Sequence, residues 1–184
     1  MQTSNILIRN ATPNDVELIA WAFLTALGLE SEYSTKQSEI FPICLREDTI
    51  YSWKRSRIAC LNGQPAGCLI SYPGTDYERL RESTWQLFDD FWQNDNDHFE
   101  PETYAGEYYL DTLAVLPTYR QKGVAKALLL DGVQRGQALN CDRVTLIAES
   151  DNPHLLRYYQ DIGFEKLSEM NFFGHLYTRM SFRK

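Results

Sequence analysis

The stretch from Leu113 to Leu130 constrains this chain most. Leu113-Ala114-Val115 is apolar and reads as the end of a strand that begins near Glu107, and Pro117 closes it. Gly123 to Leu139 has helical spacing, with Val124, Leu128 and Leu129 on one face. Between them lies Arg120-Gln121-Lys122-Gly123-Val124-Ala125. A helix N-terminus carries unpaired backbone N–H groups and a partial positive charge. Gly123 and Ala125 keep bulk away from that backbone, while Arg120, Lys122 and Lys126 add cationic charge. The combination suits a diphosphate at the start of the helix. It is not the phosphate loop GxxxxGK followed by Ser or Thr, nor the GxGxxG turn, whose glycines are missing. An ordinary strand-to-helix turn with a basic surface would satisfy the same six residues, so the rest of the chain has to decide.

The elements around it interleave. Asn5 to Arg9 is strand-like, and Thr12-Pro13-Asn14-Asp15 reads as a helix start. The helix it opens has Val16, Ile19, Ala20, Phe23, Leu24 and Leu27 on one face and stops at Gly28. Residues 29 to 56 are polar and mixed, read as helix and loop. Arg57 to Leu61 and Ala66 to Tyr72 flank Asn62-Gly63, a strong hairpin signal. Residues 76 to 93 read as a helix, 94 to 106 as loop, and Arg143 to Ala148 as a nearly all-apolar strand suited to a sheet centre. Pro153 to Asp161 is a helix stopped by Gly163, and Glu165 to Met170 and His175 to Phe182 are the last strands. The class is therefore α/β or α+β around a mixed sheet. The length of 184 residues fits a single domain, residues 1–184.

Charge divides the chain. The net charge is −7, which argues against a protein built to coat nucleic acid. From Gly74 to Glu107 ten acids face only Arg79 and Arg81, so this segment carries −8 and the remainder +1. The acids are either an ordinary solvated helix and loop or an acidic rim that draws a cationic substrate. The aromatics of the same segment, Trp85, Phe88, Phe91 and Trp92, are either the buried face of a helix or a lid. Cys44, Cys60, Cys68 and Cys141 form no CxxC, and His98, His154 and His175 lie far from them and from one another. Free thiols, no metal and a reducing, cytoplasmic setting follow as expectations. No apolar run approaches the ~20 residues of a membrane span, and the N-terminus lacks the pattern of a signal peptide.

Two motifs in register carry a resemblance. Arg120-x-x-Gly123-x-Ala125 after Leu113-Ala114-Val115, followed by Asn152, Tyr159 and Gly163-Phe164, resembles the GNAT N-acetyltransferase superfamily. The opening Ile8-Arg9-Asn10-Ala11-Thr12-Pro13-Asn14-Asp15 is similar to the family's usual start. The likeness runs from about residue 5 to 182 and is weakest over 29–56 and 74–106.

The resemblance implies the GNAT fold: a mixed, mostly antiparallel sheet of about seven strands, flanked by helices and splayed between the fourth and fifth strands. It implies acetyl-CoA as cosubstrate and no metal. The loop Gln121, Lys122, Gly123, Val124, Ala125 and Lys126, with Arg120 before it, would take the pyrophosphate. The backbone of Leu113, Ala114 and Val115 would run beside the pantetheine arm, with an N–H near Leu113 holding the acetyl carbonyl, and Asn152 would bond the same arm. Tyr159 would protonate the departing thiolate, or be a packed core aromatic; Gly163-Phe164 sets the register in its favour over Tyr158. Where the family often places a Glu or His base, this chain has Tyr109, which leaves Asp111 and Glu107. Asp111 could instead shape the pocket, and Glu107 could simply belong to the acidic loop. Residues 107, 109, 111, 113 and 115 alternate onto one face until any bulge shifts the phase. His175 could reach the acceptor side or be structural.

The implied function is transfer of an acetyl group from acetyl-CoA to a primary amine of a small molecule or peptide, by direct attack in a ternary complex. The acidic segment 74–106 would face a cationic acceptor. An N-terminal or lysine acetyltransferase of proteins and a CoA-binding module without turnover are the alternatives. A homodimer through the C-terminal strands is compatible with the sequence.

Overall fold

The computed structural model describes residues 5–87, 100–172 and 174–182. Strand β1 (Ile6–Asn10) leads into a capped helix start. Thr12 donates its backbone N–H and hydroxyl to Asp15 Oδ2 at 2.8 and 3.0 Å, and Arg9 forks onto the same carboxylate at 2.7 and 2.8 Å. Burial pushes the Asp15 carboxyl up, but these bonds outweigh it and hold it below its ordinary range. Helix α1 (Val16–Ala26) then buries Ile19, Ala20, Phe23 and Leu24. The mixed segment after it contains α2 (Tyr33–Leu45), which sets Ile40, Ile43 and Cys44 against α1.

Strands β2 (Ser56–Leu61) and β3 (Gln64–Pro73) form the expected hairpin. Asn62 and Gly63 both take left-handed backbone, with φ of 52° and 81°. That geometry matches the twist of antiparallel strands, and Asn-Gly tolerates it best. Next come α3 (Tyr77–Trp85), β4 (Glu107–Val115), α4 (Val124–Ala138), β5 (Arg143–Glu149), α5 (Pro153–Ile162), β6 (Phe164–Phe172) and β7 (His175–Phe182). The helix expected over 76–93 ends at Trp85, where Gln86 caps it and a turn follows, and Phe88, Phe91 and Trp92 lie outside the described residues.

The strands make one seven-stranded sheet in the order β1-β2-β3-β4-β5-β7-β6, in which only β4 and β5 pair parallel. Strand alternation sends Ile58, Cys60, Cys68 and Ile70 to the face covered by α1 and α2, and Ala59, Leu61 and Leu69 to the face covered by α4. Helix α4 lies close on the sheet at Gly136, where a Cβ would stand 2.6 Å from Val144 Cγ2.

Two irregularities in β4 shape the centre. Ile70 pairs with Thr112 but Ser71 pairs with Leu110, so Asp111 is an extra residue without a partner on β3. This is a β-bulge, and it reverses the phase of the strand. Tyr108 and Leu110 point to the α4 face, and after the bulge Leu113 and Val115 join them. The alternation from Glu107 to Val115 thus breaks at Asp111. The second irregularity is that β4 and β5 pair only at Glu107, Tyr108 and Tyr109. Beyond Tyr109 the two strands splay apart. Among the described residues no helix is long and apolar enough to cross a membrane, and no three His, Cys, Asp or Glu side chains come together to hold a metal ion.

Candidate active site

A cavity of about 760 Å³ occupies the splay. Leu110 to Leu113 of β4 line one side and Leu146 to Glu149 of β5 the other. The β5-facing edge of β4 has no strand partner here, so its backbone groups are open to a ligand lying along it. From the cavity, β4 leads directly to the loop that begins α4.

That loop has the form an anion needs. Gln121 and Gly123 take positive φ of 60° and 82°, with Gly123 as the residue that caps α4. The first backbone bond of the helix runs from Ala127 N–H to the Gly123 carbonyl, so the amides of Val124, Ala125 and Lys126 precede the helical ladder. Arg120, Lys122 and Lys126 are exposed around them. Arg120 Nε donates to the Val115 carbonyl at 3.2 Å, and Lys122 Nζ to the Thr118 carbonyl at 2.8 Å, which ties both to the loop they serve. The side chains of Val124 and Ala114 are buried in the core, so only their backbone is left to meet a ligand.

Helix α5 brings Tyr159 to the cavity wall, nine-tenths buried and edge-on to Phe164 at 6.0 Å between ring centres. Its hydroxyl has no hydrogen-bond partner among the described residues. Burial, and then neighbouring Tyr158, push this phenol up to about 12. Tyr158 is exposed and is not among the cavity-lining residues, unlike Tyr159. Asn152 caps α5, its Oδ1 accepting from Leu155 N–H at 3.0 Å. It stands outside the cavity lining, with its Nδ2 group unengaged among the described residues.

A match to the family model described as "Acetyltransferase (GNAT) family" covers residues 17–164. The chain belongs to the GNAT acetyltransferase family. A solved structure described as an acetyltransferase is 27% identical, with a TM-score of 0.79, over 96% of this chain and 98% of that one. An N-acetyltransferase from Staphylococcus aureus Mu50 is 22% identical at a TM-score of 0.78, over 95% of this chain and 99% of that one, and shares the fold. N-alpha-acetyltransferase 30 of Saccharomyces cerevisiae is 36% identical over 62 residues, a match that spans 34% of this chain and 35% of that enzyme.

The loop before β4 also carries a group that no motif marked. Glu102 lines the cavity, and its Oε2 accepts from the Tyr109 hydroxyl at 2.6 Å. The bulge residue Asp111 lines the same space and accepts from the Tyr72 hydroxyl at 2.7 Å and from Thr112 Oγ1 at 2.8 Å. Tyr109, at the position of the family's frequent base, therefore holds a carboxylate in place instead. Burial, and then the charges of Glu102 and Asp111, keep the Tyr109 phenol well above its ordinary value. Of the six described acids in the acidic segment only Glu102 lines the cavity; Asp89, Asp90, Asp95 and Asp97 lie outside the described residues. Trp85 and Arg81 are at the same end, the guanidinium 5.1 Å from the indole centre, and His175 is on the rim.

Glu107 takes a different place from the one expected of a base. It is buried away from the cavity, and its Oε2 accepts from Arg179 Nη2 at 2.7 Å, Thr103 Oγ1 at 3.1 Å, Tyr104 N–H at 3.2 Å and Thr145 Oγ1 at 3.2 Å. All four donors converge on one oxygen. Glu107 ties β4 to β5, β7 and the loop that carries Glu102. The cysteines also stand apart from the chemistry. Cys44, Cys60 and Cys68 are buried, and none of the four lines the cavity. Burial pushes the Cys44 thiol up to about 12 and Cys68 further.

Proposed function

We propose that this GNAT chain transfers an acetyl group from acetyl-CoA to a primary amine by direct attack in a ternary complex. One observation carries the reading: a single cavity in the β4–β5 splay joins an open strand edge, an unengaged buried phenol and an acceptor end walled by carboxylates and aromatics. The loop Gln121 to Lys126 fits a diphosphate, since its positive-φ residues and helix-start amides precede the first helical bond and its cations are exposed. The open edge at Leu113 fits an extended amide-containing arm running alongside it, and its N–H groups suit an oxyanion.

Tyr159 supports proton delivery to the departing sulfur. A phenol held near 12 stays protonated at working pH. The same burial that raises it also raises the basicity of a thiolate formed beside it. No cysteine lines the cavity, so an acyl-cysteine intermediate has no support there, which favours direct transfer.

The acceptor is a small-molecule amine or a peptide α-amine. The partial match to N-alpha-acetyltransferase 30 favours including peptides. The test is thiol release from acetyl-CoA across a panel of primary amines, diamines and peptides with free N-termini. Amine-dependent release with at least one class is expected. CoA binding with no release for any amine or peptide would leave a binding module.

A further inference from the structure

Glu102 and Asp111 form a half-buried pair of carboxyls at one end of the cavity, and neither has an ion-pair partner among the described residues. Their hydrogen-bond donors are neutral hydroxyls: Tyr109 and, at 3.5 Å, Tyr77 on Glu102; Tyr72 and Thr112 on Asp111. The Tyr72 and Tyr109 rings stand edge-on, 5.8 Å between centres, so two adjacent strands each send a phenol to one carboxyl. Arg81 is the cation facing Glu102, but its guanidinium lies over the Tyr77 and Trp85 rings and within 3.9 Å of Glu78. Tyr51 and Tyr177 also face the pair, and Glu149 and His175 line the same cavity.

Two neighbouring carboxylates drawn partly out of water without a countercharge are costly, and such a pair tends to keep a proton or accept a cation. The cavity beside them is where an acceptor amine would enter as an ammonium ion. Resting on the acetyl-transfer reading, we propose that Glu102, held beside Asp111 on the wall of the acceptor end of the cavity, takes the proton from the acceptor ammonium.

The two carboxyls are not equivalent. Asp111 is pinned by the bulge and by two short hydrogen bonds, whereas Glu102 has one short and one long bond. Burial first, and Asp111 second, push Glu102 up to about 8. Burial raises Asp111 as well. A base near the working pH accepts an ammonium proton far better than an ordinary carboxylate does.

The step balances. The N–H bond of the ammonium breaks and an O–H bond forms on Glu102. The free amine attacks the thioester carbonyl, the C–S bond breaks, and Tyr159 gives its proton to sulfur. The new amide nitrogen loses its second proton, which restores the phenol, and Glu102 returns its own proton to solvent. One amide, one thiol and one proton result for each ammonium consumed.

The test compares wild type, Glu102→Gln and Asp111→Asn from pH 6 to 10 in the thiol-release assay. Wild-type kcat/KM should rise with pH through one proton limb. Glu102→Gln, which keeps the Tyr109 hydrogen bond, should lose about 100-fold or more in kcat together with that limb. Asp111→Asn should move the limb to lower pH, because the like charge is gone. A limb that stays in place in Glu102→Gln overturns the proposal. The carboxyl can also be read without turnover, by ¹³C resonances of side-chain-labelled glutamate. One resonance should titrate well above the others, vanish in Glu102→Gln and shift down in Asp111→Asn; ordinary titration of every glutamate overturns the proposal. Absence of turnover with any amine fails the transfer reading itself, whereas turnover with an unchanged limb fails Glu102 alone.

Discussion

Replacing Glu107 by Gln should destabilise the protein while leaving the proton chemistry in place. The carboxylate and Arg179 are 9% and 10% exposed, and four donors meet at one carboxylate oxygen. Gln has the same shape and keeps one acceptor oxygen. It removes the charge opposite Arg179, whose Nε already lacks a partner among the described residues. Removing one member of a buried ion pair costs about 3–5 kcal/mol, because the other charge stays buried and uncompensated. The acceptor that Gln retains places this case near the lower end, about 3 kcal/mol. For a chain of this length, about 2–4 °C is lost per kcal/mol, so Tm should fall by about 6–12 °C in calorimetry. Arg179→Met in the Glu107→Gln background should recover part of that loss, since it removes the stranded charge. The pH limb of kcat/KM should not move. A Tm loss below about 2 °C, equivalent to less than 1 kcal/mol, would refute the tie that Glu107 is assigned. A displaced limb would return Glu107 to the candidates for the base.

Three further outcomes follow from the same geometry. Tyr159→Phe should lower kcat by about 100-fold with little change in CoA affinity, measured by initial rates and equilibrium binding; because burial holds this phenol near 12, no alkaline limb from it should appear below about pH 10. Gly123→Trp should abolish CoA binding in calorimetric titration, since φ of 82° at the helix cap excludes a bulky side chain without strain; normal binding would refute the assignment of the loop. Gly136→Ala should destabilise by about 1–3 kcal/mol in denaturant unfolding despite its better helix propensity, because its Cβ would lie 2.6 Å from Val144 Cγ2 and 2.8 Å from Tyr108 Cβ.

What the sequence reveals here is what neighbours in the chain determine. The Asn62-Gly63 hairpin, the capped start at Thr12 and the loop before α4 are local backbone chemistry, and each stands where its residues place it. The spacing from Asn152 through Tyr159 to Gly163-Phe164 is likewise confined to one helix and its stop. The bulge at Asp111 was not legible, because it is decided by the register with β3, about 40 residues earlier. Alternation from Glu107 therefore misplaces everything after it. Glu102 was one acid among ten, and its role depends on hydroxyls sent by Tyr77 and Tyr109 from separate elements. Summed charge singles out the segment 74–106 as a whole, whereas among its described acids one carboxyl, that of Glu102, lines the cavity. Glu107 was misread for the opposite reason, since its partner Arg179 lies 72 residues away on β7.

The proposed function stands or falls on direct passage of an acetyl group from CoA to an amine in the β4–β5 cavity. A single-turnover experiment with ¹³C-acetyl-CoA, quenched over time and read by mass spectrometry of both protein and acceptor, tests it most directly. Label should appear on the acceptor nitrogen, with none on the protein at any time. Label that accumulates on a cysteine or another side chain before reaching the amine, or that never leaves CoA, would contradict it.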